Sequence, residues 1–143
     1  MSIRQISVFL ENRTGQLAEI TGLLAQNHVD LRALSIAETS DYGIARLIAD
    51  DTDRATAILL NAGHILSATP VQAIAVPNRP GGLASVLEVM AENSIAVEYM
   101  YSLLTHRDGK AYMVFRVSEG EKFAMLMQSH GIEVVTAEAL GIR

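Results

Sequence analysis

Asn12-Arg13-Thr14-Gly15-Gln16-Leu17 returns 66 residues later as Asn78-Arg79-Pro80-Gly81-Gly82-Leu83. At that offset Asn12/Asn78, Arg13/Arg79, Gly15/Gly81, Leu17/Leu83, Ala18/Ala84, Ala25/Ala91 and Asn27/Asn93 are identical. Ile20/Val86, Leu24/Met90, Val29/Ile95 and Leu31/Val97 exchange one apolar side chain for another. A period this long around a glycine-bearing loop marks two copies of one folding unit.

Outward from the first loop, Ile6, Val8 and Leu10 alternate with Gln5, Ser7 and Phe9, which predicts a strand. Leu17, Ile20 and Leu24 then fall on one helical stripe, with Asn27 as the stop. Residues 29–37 predict a second strand, with Val29, Leu31, Ala33, Ser35 and Ala37 on one face. Thr39-Ser40-Asp41-Tyr42-Gly43 has turn composition and leads to a third strand over 44–49. Asp50, Asp51 and Asp53 precede a helix carrying Ala55, Ile58, Leu59 and Ala62, closed by Gly63. Ile65 to Thr69 predicts a fourth strand, with Pro70 as the seam, and the order is βαββαβ.

The second copy repeats each step: a strand over Gln72–Val76, a helix stripe of Leu83, Val86 and Met90, and a strand over Ile95–Leu104. The turn Thr105-His106-Arg107-Asp108-Gly109 leads to a strand over Ala111–Val117. A helix with Phe123, Leu126, Met127 and His130 follows, closed by Gly131, then a strand over Ile132–Val135 and one helical turn within Thr136–Leu140. From Gly63 to Gly131 the offset is 68, so two residues are inserted before the last helix, in the hairpin turn by expectation. Each unit is ferredoxin-like. The expected fold is α+β: two tandem βαββαβ units, residues 1–69 and 70–143, antiparallel sheets with helices on one face, packed as a pseudo-symmetric pair. Leu34, Ile36, Met100 and Leu104 are expected on the opposite face. Pairing of the two copies, or of two chains in a homodimer, would cover it.

Composition narrows the function. Eleven basic against 16 acidic residues give a net charge of -5, and aromatic residues make up 5%. Neither suits a nucleic-acid partner. Absence of cysteine removes disulfides, thiolate zinc sites and CxxC redox chemistry. No apolar run approaches the ~18 residues of a membrane span, and residues 1–5 show no signal core. The expectation is a soluble cytoplasmic protein without cofactor or membrane partner. No nucleophile motif appears, and His28, His64, His106 and His130 lack metal-ligand spacing. Asp50, Asp51 and Asp53 read as helix capping rather than a metal site. Catalysis has no positive sign.

A βαββαβ repeat with an asparagine-arginine-x-glycine-x-leucine turn after its first strand resembles the ACT domain, a small regulatory module that binds amino acids and related effectors. The resemblance covers essentially the whole chain, as two tandem copies with no enzyme domain attached. It implies side-by-side association into a longer sheet, with an effector at the ACT–ACT interface. The implied ligand residues are Asn12, Arg13, Thr14, Gly15, Gln16 and Leu17, and Asn78, Arg79, Pro80, Gly81, Gly82 and Leu83. The starts of the second strands, Val29, Asp30 and Leu31 and Ile95, Ala96 and Val97, would close the site.

Physical chemistry supports such a turn. A helix starting just after Asn12 or Asn78 presents unpaired N–H groups and a positive dipole end to a carboxylate. Gly15, Gly81 and Gly82 let a ligand approach the backbone. Pro80 near the helix start removes a donor that has no helical partner. Arg13 and Arg79 could pair with the carboxylate, whereas the plainer account has these residues only shaping and capping the turn. Tyr99, Tyr101 and Tyr112 mark the second copy, where the first has Ala33 and Ser35 opposite the first two, and suit packing or a pocket wall. The reading is a regulatory protein that binds an amino acid or related metabolite and acts on a partner enzyme or regulator. The alternative is a ligand-independent interaction module or the regulatory subunit of an amino-acid metabolic enzyme.

Overall fold

The structure, a computed structural model, describes residues 2–143 other than Asn12, Thr39, Ser40 and Asp108, with only the backbone of His106. Among the described residues the elements run β1 (Ile3–Glu11), α1 (Gln16–Gln26), β2 (Leu31–Glu38), β3 (Tyr42–Ala49), α2 (Thr52–Asn61) and β4 (Leu66–Pro77). They continue as α3 (Gly82–Glu92), β5 (Val97–Arg107), β6 (Lys110–Val117), α4 (Gly120–Ser129) and β7 (Val134–Val135), ending in a 3-10 turn at Glu138–Leu140. The fold is α+β with tandem βαββαβ-like units and antiparallel sheets. Two compact units divide the chain: Arg4–Thr69 with Gly141–Arg143, and Pro70–Leu140 with the N-terminal residues up to Ile3.

In the first unit the strand order is β2-β3-β1-β4. Residues opposite one another in antiparallel strands share a face. Ile6↔Leu47 and Val8↔Ala45 therefore point the same way, and they meet Ile20 and Leu24 of α1 and Ala55 and Leu59 of α2. The other face carries Ser7, Phe9, Ile44 and Arg46. The second unit repeats the plan, with β5, β6 and β4 in order and β7 on the far edge of β4. Ile74, Val76, Phe115 and Val117 there meet Val86, Met90, Phe123 and Met127. At 11 residues each, α1 and α3 are too short to persist alone in water. Packing of these stripes holds them.

Several expectations change. The separate strands over Ile65–Thr69 and Gln72–Val76 are one strand, β4, that runs through Pro70. Proline lacks only the N–H, and the Pro70 carbonyl still accepts from Arg116 Nη1 at 2.9 Å. The last strand shortens to Val134–Val135, and the Ile132 N–H instead donates to Met127 O at 2.9 Å at the end of the preceding helix.

Leu34 and Met100 are on the helix-covered side rather than the opposite one, packing against the two cores. Ile36, opposite Ala45, shares that side and is exposed at the edge strand. A bulge between Leu31 and Ala33, and another between Val97 and Tyr99, shifts the alternation by one residue. Leu104, also exposed, follows a further register shift between Ser102 and His106. Across that shift the pairing moves from Ser102↔Met113 to His106↔Ala111. The two inserted residues thus lie inside β5 rather than in the turn. His106 and Arg107 are strand, as are Tyr42 and Gly43 in the first copy; Thr39, Ser40 and Asp108 of the two expected turns lie outside the described residues.

Helix ends also depart from expectation. Asn27 is not left-handed (φ -100°); the left-handed residue is His28 at φ 58°, and in the second copy Ser94 at φ 57°. Asn27 and Asn93 instead donate Nδ2 to the carbonyls of Leu23 and Val89, each at 2.9 Å. Val29 N–H to Leu24 O and Ile95 N–H to Met90 O close each end in a six-residue loop. Gly63 and Gly131 do the left-handed task for α2 and α4 without a Cβ. Ser94→Gly removes a strained Cβ, so it should stabilise the protein by about 0.5–1 kcal/mol. At roughly 2–4 °C per kcal/mol, a melting curve would show the gain; an unchanged or lower midpoint would contradict it.

Candidate functional site

The two repeated turns reverse the chain through left-handed glycines, Gly15 at φ 89° and Gly81 at φ 85°. These are the N-cap residues, so the helices start at Gln16 and Gly82 rather than just after Asn12 and Asn78. A Cβ at either glycine would meet nothing within 4 Å. The backbone angle requires glycine there, and the space beside it is open. Pro80 stands before the N-cap, so it sets the turn's φ and is not the first helical residue. The Asn78 N–H donates to Gly109 O at 2.8 Å, which ties the second turn to the β5–β6 hairpin. Its counterpart Asn12 lies outside the described residues.

The copies satisfy the end of the first strand differently. In the first, Gln16 is buried and its Oε1 accepts the Glu11 N–H at 2.7 Å. In the second, Glu11 is replaced by Pro77, which has no N–H, and Gln16 by Gly82. A Cβ on Gly82 would lie 1.9 Å from the Pro77 carbonyl oxygen. Gly82 is therefore glycine because its own strand end presses on it. Gly81, not Gly82, borders open space.

Charge differs as well. Arg13 is held by Glu19 at 3.0 Å and Glu11 at 3.6 Å. In the second copy those carboxylates are Ser85 and Pro77, and among the described residues exposed Arg79 makes no ion pair. Among the described residues neither α1 nor α3 has a side-chain cap. The first helical bond of α3 runs from Ser85 N–H to Gly81 O, so the N–H groups of Leu83 and Ala84 have no acceptor among the described residues. Arg79 and two free N–H groups thus lie beside an open glycine, the kind of groups that suit an anion. Sequence reasoning missed Glu11 and Glu19 as partners of Arg13. The available signal was their replacement in the other copy.

The remaining candidates divide by depth. Arg13, Thr14, Gly15, Asp30, Asn78, Arg79, Pro80, Gly81 and Ala96 are exposed. Val29 and Ile95 are core residues, and Leu17, Leu31, Leu83 and Val97 pack partly buried against the same cores. The Asp30 N–H donates to Asp50 Oδ1 at 3.0 Å, and its carboxylate pairs with Arg32. Tyr99 and Tyr101 stack at 6.4 Å between ring centroids, while Tyr112 is buried. The three aspartates have separate tasks: Asp51 caps α2 through the Arg54 N–H at 3.2 Å, Asp50 accepts from Asp30, and Asp53 meets Arg4 at 2.7 Å. His28 and His130 stand at helix ends, with His130 Nδ1 3.0 Å from Leu126 O. Among the described residues no three of His, Asp and Glu group as metal ligands.

A family model described as an ACT domain pair matches residues 1–141. Among solved structures, protein BT0572 from Bacteroides thetaiotaomicron is similar at 36% identity and TM-score 0.91, over 99% of this chain and 96% of that one. The ligand-free regulatory subunit of aspartate kinase from Thermus thermophilus shares 12% identity with TM-score 0.64, over 88% and 91% of the two chains. That subunit from Thermus flavus shares 14% with TM-score 0.62, over 96% and 89%. At such identities the kinase subunits show the fold alone. No curated protein matches the chain.

Two predictions follow from the geometry. Gly82→Ala forces a Cβ against the Pro77 carbonyl and should cost about 1–3 kcal/mol, read as a fall in urea midpoint; an unchanged midpoint would contradict the packing. The hydrogen bond and charge of Arg4 hold the Asp53 carboxyl below the usual carboxylate range. The pair's contribution is present above the ordinary carboxylate value and disappears as pH falls through the lowered one. Carboxyl NMR titration should show Asp53 moving up in Arg4→Ala, and no movement would refute the pairing.

Proposed function

This chain belongs to the ACT domain pair family, and from that membership we propose that it is a non-catalytic regulatory subunit of an enzyme of amino-acid metabolism. The observation carrying this reading is the mutual coverage with the Thermus thermophilus aspartate kinase subunit, over 88% and 91% of the two chains. A duplicated unit built like a separate regulatory chain suits docking to a catalytic partner. Docking biases that partner between two states by the difference in its affinity for them. A coupling of ~1–3 kcal/mol is a useful regulatory range.

The second turn favours a companion reading: a free amino acid or related metabolite as effector. Arg79 and the N–H groups of Leu83 and Ala84 suit a carboxylate, and the absence of a Cβ at Gly81 leaves room for one. Asn78, Pro80 and Leu83 frame this turn, and Gly82 serves through its backbone. Arg13 is already occupied by Glu11 and Glu19, so the first turn is the weaker site. In the family arrangement, Ile95 to Val97 or Val29 to Leu31 of a neighbouring unit would close the pocket.

Isolation of the tagged full chain from its own cells should bring down an amino-acid metabolic enzyme in fixed ratio, and adding the chain should change that enzyme's kcat or KM. A chain that elutes alone and changes no such rate would contradict the subunit reading. For the effector, melting temperatures with each of the twenty amino acids separate the cases. A ligand at 100 times its Kd stabilises by ~2.7 kcal/mol, roughly 5–10 °C here. Arg79→Ala should weaken that ligand about tenfold or more. A flat panel would leave docking without an effector.

A further inference from the structure

The start of α4 borders a cleft of about 320 Å³ in the second unit, lined by Pro70, Gln72, Ser118, Gly120 and Glu121 among others. The corresponding place in the first unit is built differently. There Arg4 reaches Asp53 at 2.7 Å, Asp51 caps α2, Ile6 fills the core and Thr52 is buried beside the helix start. By the repeat, Arg4 becomes Pro70 and Ile6 becomes Gln72; Asp51, Thr52 and Asp53 become Glu119, Gly120 and Glu121. Pro70 and Glu121 cannot form the ion pair of Arg4 and Asp53. Among the described residues α4 has no side-chain cap, and Glu119 meets Lys122 at 3.7 Å instead. The first helical bond runs from Phe123 N–H to Glu119 O, and the N–H groups of Glu121 and Lys122 have no acceptor among the described residues.

A second observation points into the same place. Gln72 is only 4% exposed, and its Oε1 has no hydrogen-bond partner among the described residues. Its Nε2 lies over the start of α4, where a Cβ on Gly120 would come within 2.7 Å. Glycine at 120 therefore makes room for an amide where the first copy has an isoleucine and a threonine. A buried unpaired carbonyl oxygen is costly, and rotation about the last side-chain torsion can turn either end of the amide to the cleft.

We propose that this cleft binds a small carboxylate with an adjacent hydrogen-bond donor, an α-hydroxy or α-amino acid. The carboxylate takes the free N–H groups of Glu121 and Lys122 at the positive end of α4, and the donor satisfies Gln72 Oε1. Of the two charged lining residues, Arg116 is already bonded to Glu98 at 3.1 Å and to the Pro70 carbonyl, which leaves the Glu121 carboxylate unbalanced among the described residues. Beside that carboxylate one negative charge is repelled less than the two of a phosphate. The site shares no residue with the turn at Asn78–Leu83.

The test is an NMR titration of the full chain with glycolate, glycine and inorganic phosphate. Saturable shifts at the Glu121 and Lys122 amides with glycolate or glycine are expected. They should vanish in Gln72→Ile/Gly120→Thr, which writes in the first copy's residues. Gln72→Leu, which needs no added room at Gly120, should weaken binding about tenfold and serves should the double variant not fold. No saturable shift from either acid, tighter binding of phosphate, or unchanged affinity in a folded variant would each overturn the proposal.

Discussion

The left-handed glycine between first strand and first helix is the constraint on which both units depend. At φ 85–89° it turns the chain sharply enough to lay α1 and α3 across their sheets. It also leaves the first helical N–H groups without a side-chain cap among the described residues. Packing then holds helices that could not stand alone. The same turn that makes the fold thereby leaves N–H groups of the kind that suit an anion.

Duplication made the two copies free to differ, and they differ where polar groups are left over. The first copy settles its charges internally: Arg13 with two glutamates, Arg4 with Asp53, Asp51 on α2, Gln16 on Glu11. The second replaces those partners with Pro77, Ser85, Pro70, Glu119 and Gly82. Its core is as apolar as the first, with Phe115 and Phe123 at 5.4 Å between ring centroids. Beside that core, Arg79, the start of α4 and Gln72 Oε1 are left without the internal partners their counterparts' places have, among the described residues. A frame in one copy and recognition in the other suits a regulatory module.

Much of the frame was legible because strands, helix stripes and terminal glycines all follow from hydrophobic period and backbone preference. The bulges at Leu31/Ala33 and Val97/Tyr99 were not. Each inserts one residue without any change in composition, so the alternation continues on paper while side chains change face. Pro70 read as a break because proline usually is one in a strand interior. At the candidate site the turn and its arginines were visible, but their state was not. Whether Arg13 is paired depends on Glu19, six residues away on a helix whose start the sequence placed too early. Gly82 had the opposite fault: its close contact with Pro77 is a tertiary fact that open-space reasoning about glycine could not supply.

The central claim is that recognition resides in the second copy. Residue-resolved amide NMR, with the full chain titrated by whichever free amino acid stabilises it most, addresses that claim directly. The account predicts saturable shifts at Arg79, Gly81, Leu83 and Ala84, with Arg13, Gly15, Leu17 and Ala18 unmoved. Equal shifts at both turns, or shifts at the first alone, would contradict it.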